Sequence, residues 1–325
     1  MLLKKLTVSL IVLLLIIINI TSIFGLDVYL GGESVGVVLN YNGVLITGGY
    51  DIEIDGKKYN PLDYNFKVLD LITKVNGKKI ENIESLTKVF EDNQDHYQIT
   101  LLRNQVELNK TLLIQRHQNE FNSGLYVKDA LSGLGTMTYY NPHTRQFACL
   151  GHEMNDHGIQ LNNGTIYQAS VHSIKKSQKD QIGQKNGKIS QSKIGTVLQN
   201  NDFGIFGQYE IPMSDSNKIE TSSMEDVKLG NAYFLTSLND NKVTKCEIEI
   251  TYLQKQSVPQ EKGIQFKLID QNILHQTGGI IQGMSGSPII QNGKLIGCVT
   301  HANSSNPVIG YGVYIDWMIN NEEKK

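Results

Sequence analysis

Ser285 stands in the run Ile281-Gln282-Gly283-Met284-Ser285-Gly286-Ser287-Pro288, a serine with glycine two residues before it and one after. Those residue types at that spacing suit nucleophilic catalysis. A seryl oxygen exposed on a tight turn can attack a carbonyl, and the N–H groups of Gly283 and Ser285 can converge to hold the oxyanion that forms. A side chain at 283 would crowd the carbonyl under attack, and glycine has none. Thr277-Gly278-Gly279-Ile280 leads into the turn. The exit, Ile289 to Gly297, reads as a strand, an Asn292-Gly293 hairpin turn and a second strand. The same letters also describe a Gly/Ser-rich turn with no chemistry, so the motif needs partners.

A serine needs a base. The chain has 8 histidines, so a histidine as such distinguishes nothing. His152 is set apart by its neighbourhood. Arg145-Gln146-Phe147-Ala148-Cys149-Leu150 is an apolar, strand-like run that ends at Gly151-His152, and a base at the end of a buried strand is rigidly placed yet accessible. His157 is the local rival. His301, which ends the strand after the nucleophile hairpin, is expected to line the substrate cleft. The third member should be a carboxylate that sets the imidazole tautomer. Asp270 ends the alternating run Gln265 to Asp270, fifteen residues before Ser285. Asp202, fifty residues after His152 in a polar turn, competes with it.

Leu150-Gly151-His152, Gly204-Ile205-Phe206-Gly207, the run Thr277 to Pro288 and Gly310-Tyr311-Gly312-Val313-Tyr314-Ile315-Asp316-Trp317-Met318 together resemble the SpoIVB peptidase family, the serine peptidases of endospore-forming bacteria. The resemblance covers nearly the whole chain. It implies Ser285 as nucleophile, His152 as general base and Asp270, rather than Asp202, as triad acid. It further implies action between the two membranes of a developing spore, on a membrane-anchored partner of an intramembrane protease that matures a sporulation sigma factor, together with self-cleavage.

The positioning elements come next. Met1-Leu2-Leu3-Lys4-Lys5 precedes an almost wholly apolar run to Ile18 that continues, interrupted by polar residues, to Phe24. About 20 such residues span a bilayer. Residues 1–26 therefore read as a transmembrane signal-anchor or a signal peptide, and the two lysines place the rest across the membrane. Residues 27–115 carry a glycine-bearing loop and strand (Gly31 to Leu39), a strand with an Asn76-Gly77 turn, a helix-spaced stretch from Ile83 to Asp92 and two paired strands. This order resembles a PDZ domain, which adds a peptide strand to a sheet edge. Residues 116–124 read as a linker, with Ser173 to Lys193 as an exposed hairpin or loop. Residues 125–325 carry many short strands with Asn-Gly-type turns, which suits a chymotrypsin-like double β-barrel. The expected fold is mainly β: a PDZ-like domain followed by that peptidase domain.

Composition narrows the function classes. Lys+Arg 30 against Asp+Glu 32 gives a net charge of -2 without a basic patch, so nucleic acid is not an expected partner. The 3 cysteines, Cys149, Cys246 and Cys298, have no paired spacing, so neither a disulfide framework nor a metal site follows. No cofactor is expected. The reading is an exported, membrane-associated serine endopeptidase. A catalytically silent PDZ-bearing adaptor is the alternative, and a lipase or esterase fits less well because the nucleophile-elbow motif is absent. Met284 occupies the position before the nucleophile, where many trypsin-like enzymes carry an aspartate that pairs with a freed N-terminus. Activation by such a pair is therefore not expected. Gln271 to Ser285 contains no acidic residue, so the primary pocket, with its base expected at Gly279, should take an uncharged side chain.

Overall fold

The computed structural model describes residues 25–117, 120–159, 161–211 and 217–322. The expected signal or transmembrane segment, residues 1–26, lies almost wholly outside them. Among the described residues no helix is long and apolar enough to cross a membrane. The strands that matter here are, in order, β1 (Asp27–Leu30), β2 (Ser34–Gly49), β3 (Leu71–Val75), β4 (His96–Arg103), β5 (Val106–Leu113), β6 (Leu125–Asn141), β7 (Gln146–Cys149), β8 (Gly164–Lys175), β9 (Gln184–Asn201) and β10 (Gly204–Tyr209). They are followed by β11 (Gly230–Asn239), β12 (Lys242–Leu253), β13 (Ile264–Leu268), β14 (Pro288–Gln291), β15 (Lys294–Ala302) and β16 (Ile309–Tyr314). Among the described residues three α-helices join them: α1 (Ile83–Phe90), α2 (Gln271–Thr277) and α3 (Ile315–Asn320). The protein is mainly β.

Antiparallel pairing runs round a ring in the first half of the molecule, β2 to β6, β6 to β7, β7 to β10, β10 to β9, β9 to β8 and β8 back to β2. The alternation of apolar residues along these strands turns Val35, Val37, Leu39, Phe147, Cys149, Ile166, Val197 and Ile205 into one enclosed core. A second closed barrel is formed by β11, β12, β13, β16, β15 and β14 around Phe234, Ile248, Phe266, Ile289 and Val299. Closure leaves neither barrel with an open edge across its pairing ring.

A smaller β-rich module hangs on the first barrel. β3, β4 and β5 extend the sheet from the far end of β2, and α1 covers them with Leu86, Val89 and Phe90. Asn82 caps α1 by accepting from the Ser85 N–H, and the Ser85 hydroxyl oxygen in turn accepts from the Asn82 N–H. The helix thus falls where its spacing placed it, though it ends at Phe90 rather than Asp92. The expected boundaries differ in two places. β2 is a single 16-residue strand whose first half pairs with β6 and β8 and whose second half pairs with β3. Residues 27 to about 41 therefore belong to the first barrel, because β2 is long enough to serve both units. The expected linker is also structured, since Gln115–His117 pairs with Glu120–Asn122.

Candidate active site

The nucleophile turn is over-determined. Ile281 O accepts from the Met284 N–H, Met284 O from the Ser287 N–H, and Val299 O on β15 from the Gly286 N–H. β6 of the other barrel grips the same turn. The Thr136 N–H donates to Ser285 O at 2.9 Å, the Thr136 hydroxyl donates to Gly283 O at 2.8 Å and the Thr138 hydroxyl donates to Gly286 O at 2.7 Å. Such close packing explains the glycines. Gly286 has φ +89, and a Cβ there would lie 2.1 Å from Thr136 O. Gly283 has φ +93 and would meet the Lys185 stem at 2.9 Å. Met284 is fully buried in the second core, as an apolar side chain at that position must be. Among the described residues neither the Gly283 nor the Ser285 N–H is spent on a protein acceptor.

His152 arrives from the first barrel. After β7 the chain takes two left-handed residues, Leu150 at φ +66 and Gly151 at φ +71. A Cβ on Gly151 would sit 2.3 Å from Cys298 Sγ, so only glycine can occupy the second position while Leu150 drops into the core. The turn brings His152 out into a cleft of about 620 Å³ whose lining includes Gly283, Ser285, Lys185 and Gln184. Ser285, Gly283 and His152 thus meet across the junction of the two barrels. A larger cavity of about 800 Å³ lies beside β12, lined in part by Met224, Gln254 and Tyr314, and holds none of these residues.

The imidazole is oriented by the main chain. His152 Nδ1 lies 2.8 Å from the Glu153 carbonyl oxygen. A carbonyl can only accept, so Nδ1 carries the proton and Nε2 keeps the lone pair that a general base needs. The Ser285 hydroxyl donates to Thr300 O at 3.0 Å. The hydroxyl proton must leave Thr300 O before it can pass to Nε2.

Asp270 is not brought to His152. Its Oδ1 accepts from the N–H groups of Asn272 and Ile273 and caps α2, the lead-in to the nucleophile turn. The expected contact fails because the Asp270 carboxylate is engaged at the N-terminus of α2. Among the described residues no carboxylate is hydrogen-bonded to His152. Asp202 is exposed in the turn between β9 and β10, and His157 is exposed beside Asp156.

His301, expected to line the cleft, packs against His152 but is not among the residues that line the cleft. Its ring centroid is 5.2 Å from that of His152. Burial, seconded by His152 and Lys262, pulls its pKa down to about 4 despite the Glu261 carboxylate 3.8 Å away. It therefore remains neutral at neutral pH and does not repel an imidazolium on His152.

Three participants escaped the sequence reading. The carbonyls of Glu153 and Thr300 carry no side-chain signal. The third is the stretch expected to be an exposed hairpin or loop, a largely exposed hairpin that also straps the lead-in to the nucleophile. The Ser177 hydroxyl donates to Ile280 O, Gly183 O accepts from the Gln282 N–H, and the Lys185 N–H donates to Gln282 O. Ser177 and Lys185 of that stretch are buried, which its polar letters do not show. All three cysteines are free and buried, and among the described residues no cluster of metal-ligating side chains occurs.

The sequence model of the SpoIVB peptidase S55 family matches residues 119–319, more than half of the chain. No curated protein sequence matches. Solved structures similar in fold include the active form of the Rv3671c protease from M. tuberculosis, at 16% identity and a TM-score of 0.34, covering 58% of this chain and 72% of that one. The inactive form of the Rv3671c protease gives 17% and 0.33, with 57% and 81% covered.

Proposed function

Since this chain belongs to the SpoIVB peptidase S55 family and is a serine peptidase, we propose that it is an endopeptidase in which Ser285 and His152 carry the chemistry. Ser285 Oγ attacks a peptide carbonyl while His152 Nε2 takes its proton. The N–H groups of Gly283 and Ser285 hold the oxyanion. As the tetrahedral intermediate collapses, the C–N bond breaks and the imidazolium gives its proton to the leaving amine. Water, activated by the same imidazole, then hydrolyses the acyl-enzyme and returns Ser285. The Glu153 carbonyl supports the imidazolium in place of a side-chain acid.

The observation that carries this reading is the convergence on one cleft of Ser285, two unspent N–H groups and a His152 whose Nδ1 faces the Glu153 carbonyl. A fluorophosphonate probe should label the wild-type protein at Ser285 and leave Ser285→Ala unlabelled. The opposing reading, a catalytically silent adaptor, draws on one observation, the Ser285 hydroxyl turned toward Thr300 O. A folded wild-type protein that takes no label would favour it.

The finer reading extends to the setting. The chain is exported and held at, or between, the membranes of a developing spore by its apolar N-terminus. There it cuts a membrane-linked regulator of an intramembrane protease, and it can cut itself. The module built on β3, β4, β5 and α1 serves as the PDZ-like part that tethers substrate. Support comes from the family membership and from the apolar N-terminal run. In an endospore former, a chromosomal Ser285→Ala strain should stop after engulfment with the membrane-linked regulator uncut. Normal spore yield in that strain would overturn the assignment.

A further inference from the structure

Lys185 has no part in the chemistry described above, yet it is buried in the wall of the cleft. Its Nζ donates to three hydroxyls from three strands, Thr236 on β11 at 2.7 Å, Thr136 on β6 at 3.3 Å and Ser34 on β2 at 3.4 Å. An ammonium has three N–H groups, and here each has one acceptor. Among the described residues no carboxylate pairs with it. Burial pulls its pKa down to about 7. An uncompensated buried lysine is costly, so its place calls for a reason outside stability.

Both ends of the residue act on the same glycine. The Lys185 N–H donates to Gln282 O. In a trans peptide the C=O and the following N–H point in opposite directions, so holding Gln282 O against β9 turns the Gly283 N–H away from β9 and toward the cleft. At the other end, Nζ donates to the Thr136 oxygen, which leaves the Thr136 proton for Gly283 O. The methylene stem fills the space where a Cβ of residue 283 would lie. We propose that Lys185 is the positioning residue of the oxyanion hole, fixing both peptide planes that flank Gly283 and so keeping its N–H aimed at the reacting carbonyl. An internal amine then does, through Thr136, what a freed N-terminus does in enzymes with an aspartate before the serine, a position filled here by Met284. This rests on the assignment of Ser285 and Gly283 made above.

The test uses the full chain with Lys185→Met, which keeps the length of the stem and removes the charge and its donors. The variant should fold with unchanged or higher thermal stability. Its kcat should fall about 10- to 100-fold with KM within about threefold, because the hole acts only on the transition state. Affinity for a peptidyl boronate should fall in parallel with kcat/KM, while a substrate-like peptide inhibitor binds as before. Thr136→Val, which removes the relay without disturbing the shape, should do the same, and the double variant should be no worse than the worse single. A folded Lys185→Met with kcat within about threefold of wild type overturns the inference. Should Lys185→Met fail to fold, Thr136→Val decides alone, and normal boronate affinity in it overturns the inference. Wild-type protein that takes no fluorophosphonate label would instead sink the site assignment, so the two failures are separable.

Discussion

The two barrels present their catalytic residues in different ways. The second barrel holds Ser285 on a turn tied by at least six hydrogen bonds, half of them from the other barrel. The first barrel presents His152 on a loop, after a two-residue left-handed turn, with one hydrogen bond to the ring among the described residues. The nucleophile must be rigid because the oxyanion donors are part of its own backbone. The base needs only a fixed tautomer and freedom to tilt between the serine and the leaving amine. Rigidity is spent where the backbone itself does the chemistry.

This contrast can be broken at either end. The largest effect is expected for Ser285→Ala or His152→Ala, each lowering kcat/KM by about 10³-fold or more. The double variant should be little worse than the worse single, because the two act as one unit. Additive losses in steady-state kinetics would mean that they do not. Next comes Gly283→Ala. The residue sits at φ +93 against the Lys185 stem, so kcat should drop about 100-fold with little change in KM, and a wild-type kcat would show that the hole lies elsewhere.

The pH dependence of stability sharpens the picture of the barrel junction. Lys185 has a folded pKa near 7 against an ordinary 10.5, so between those values the unfolded chain binds more protons. Stability should therefore rise with pH across that window, by on the order of a few kcal/mol, and the burial cost should be fully present below pH 7. Cys246, the titratable neighbour, has its thiol pushed up to about 12 by burial and stays neutral through most of the window. Denaturant melts at pH 7 and pH 9, above the range where His301 contributes and below that where the three buried thiols do, should show the rise in wild type and not in Lys185→Met.

Asp270 separates a positioning role from a catalytic one. Asp270→Ala should cost about 1 kcal/mol of stability through the lost cap on α2. Asp270→Asn keeps a capping oxygen and should retain activity within about tenfold. A folded Asp270→Asn that loses as much as His152→Ala would make Asp270 the triad acid after all. The smallest expected effect concerns selectivity. A Cβ at Gly279 would meet Pro307 O at 2.4 Å, and one at Gly310 would meet the Phe266 ring at 2.4 Å. The expected base of the primary pocket is thus filled by backbone and apolar atoms. A peptide library should show cuts after small uncharged residues, and dominant cleavage after Lys or Arg would contradict that filling.

What the sequence determined by itself is what is encoded locally. Gly283-Met284-Ser285-Gly286 and Leu150-Gly151-His152 are legible because positive φ and close backbone contacts admit only glycine at defined positions, so the geometry is written into the letters. The helix at 83–90 and the strand-rich second unit follow from period and turn residues in the same way. Tertiary structure alone decided the rest. That β2 serves two units, that Glu153 O rather than a carboxylate orients His152, that Asp270 caps a helix, and that Lys185 in a polar stretch lies buried against Gly283 all depend on which strands meet across the barrel junction. Main-chain acceptors are the same at every residue, and a lysine's letter does not say which hydroxyls will surround it. Such contacts join residues as far apart as Ser34, Thr136, Lys185 and Thr236, and only closure of the two barrels brings them within hydrogen-bond reach.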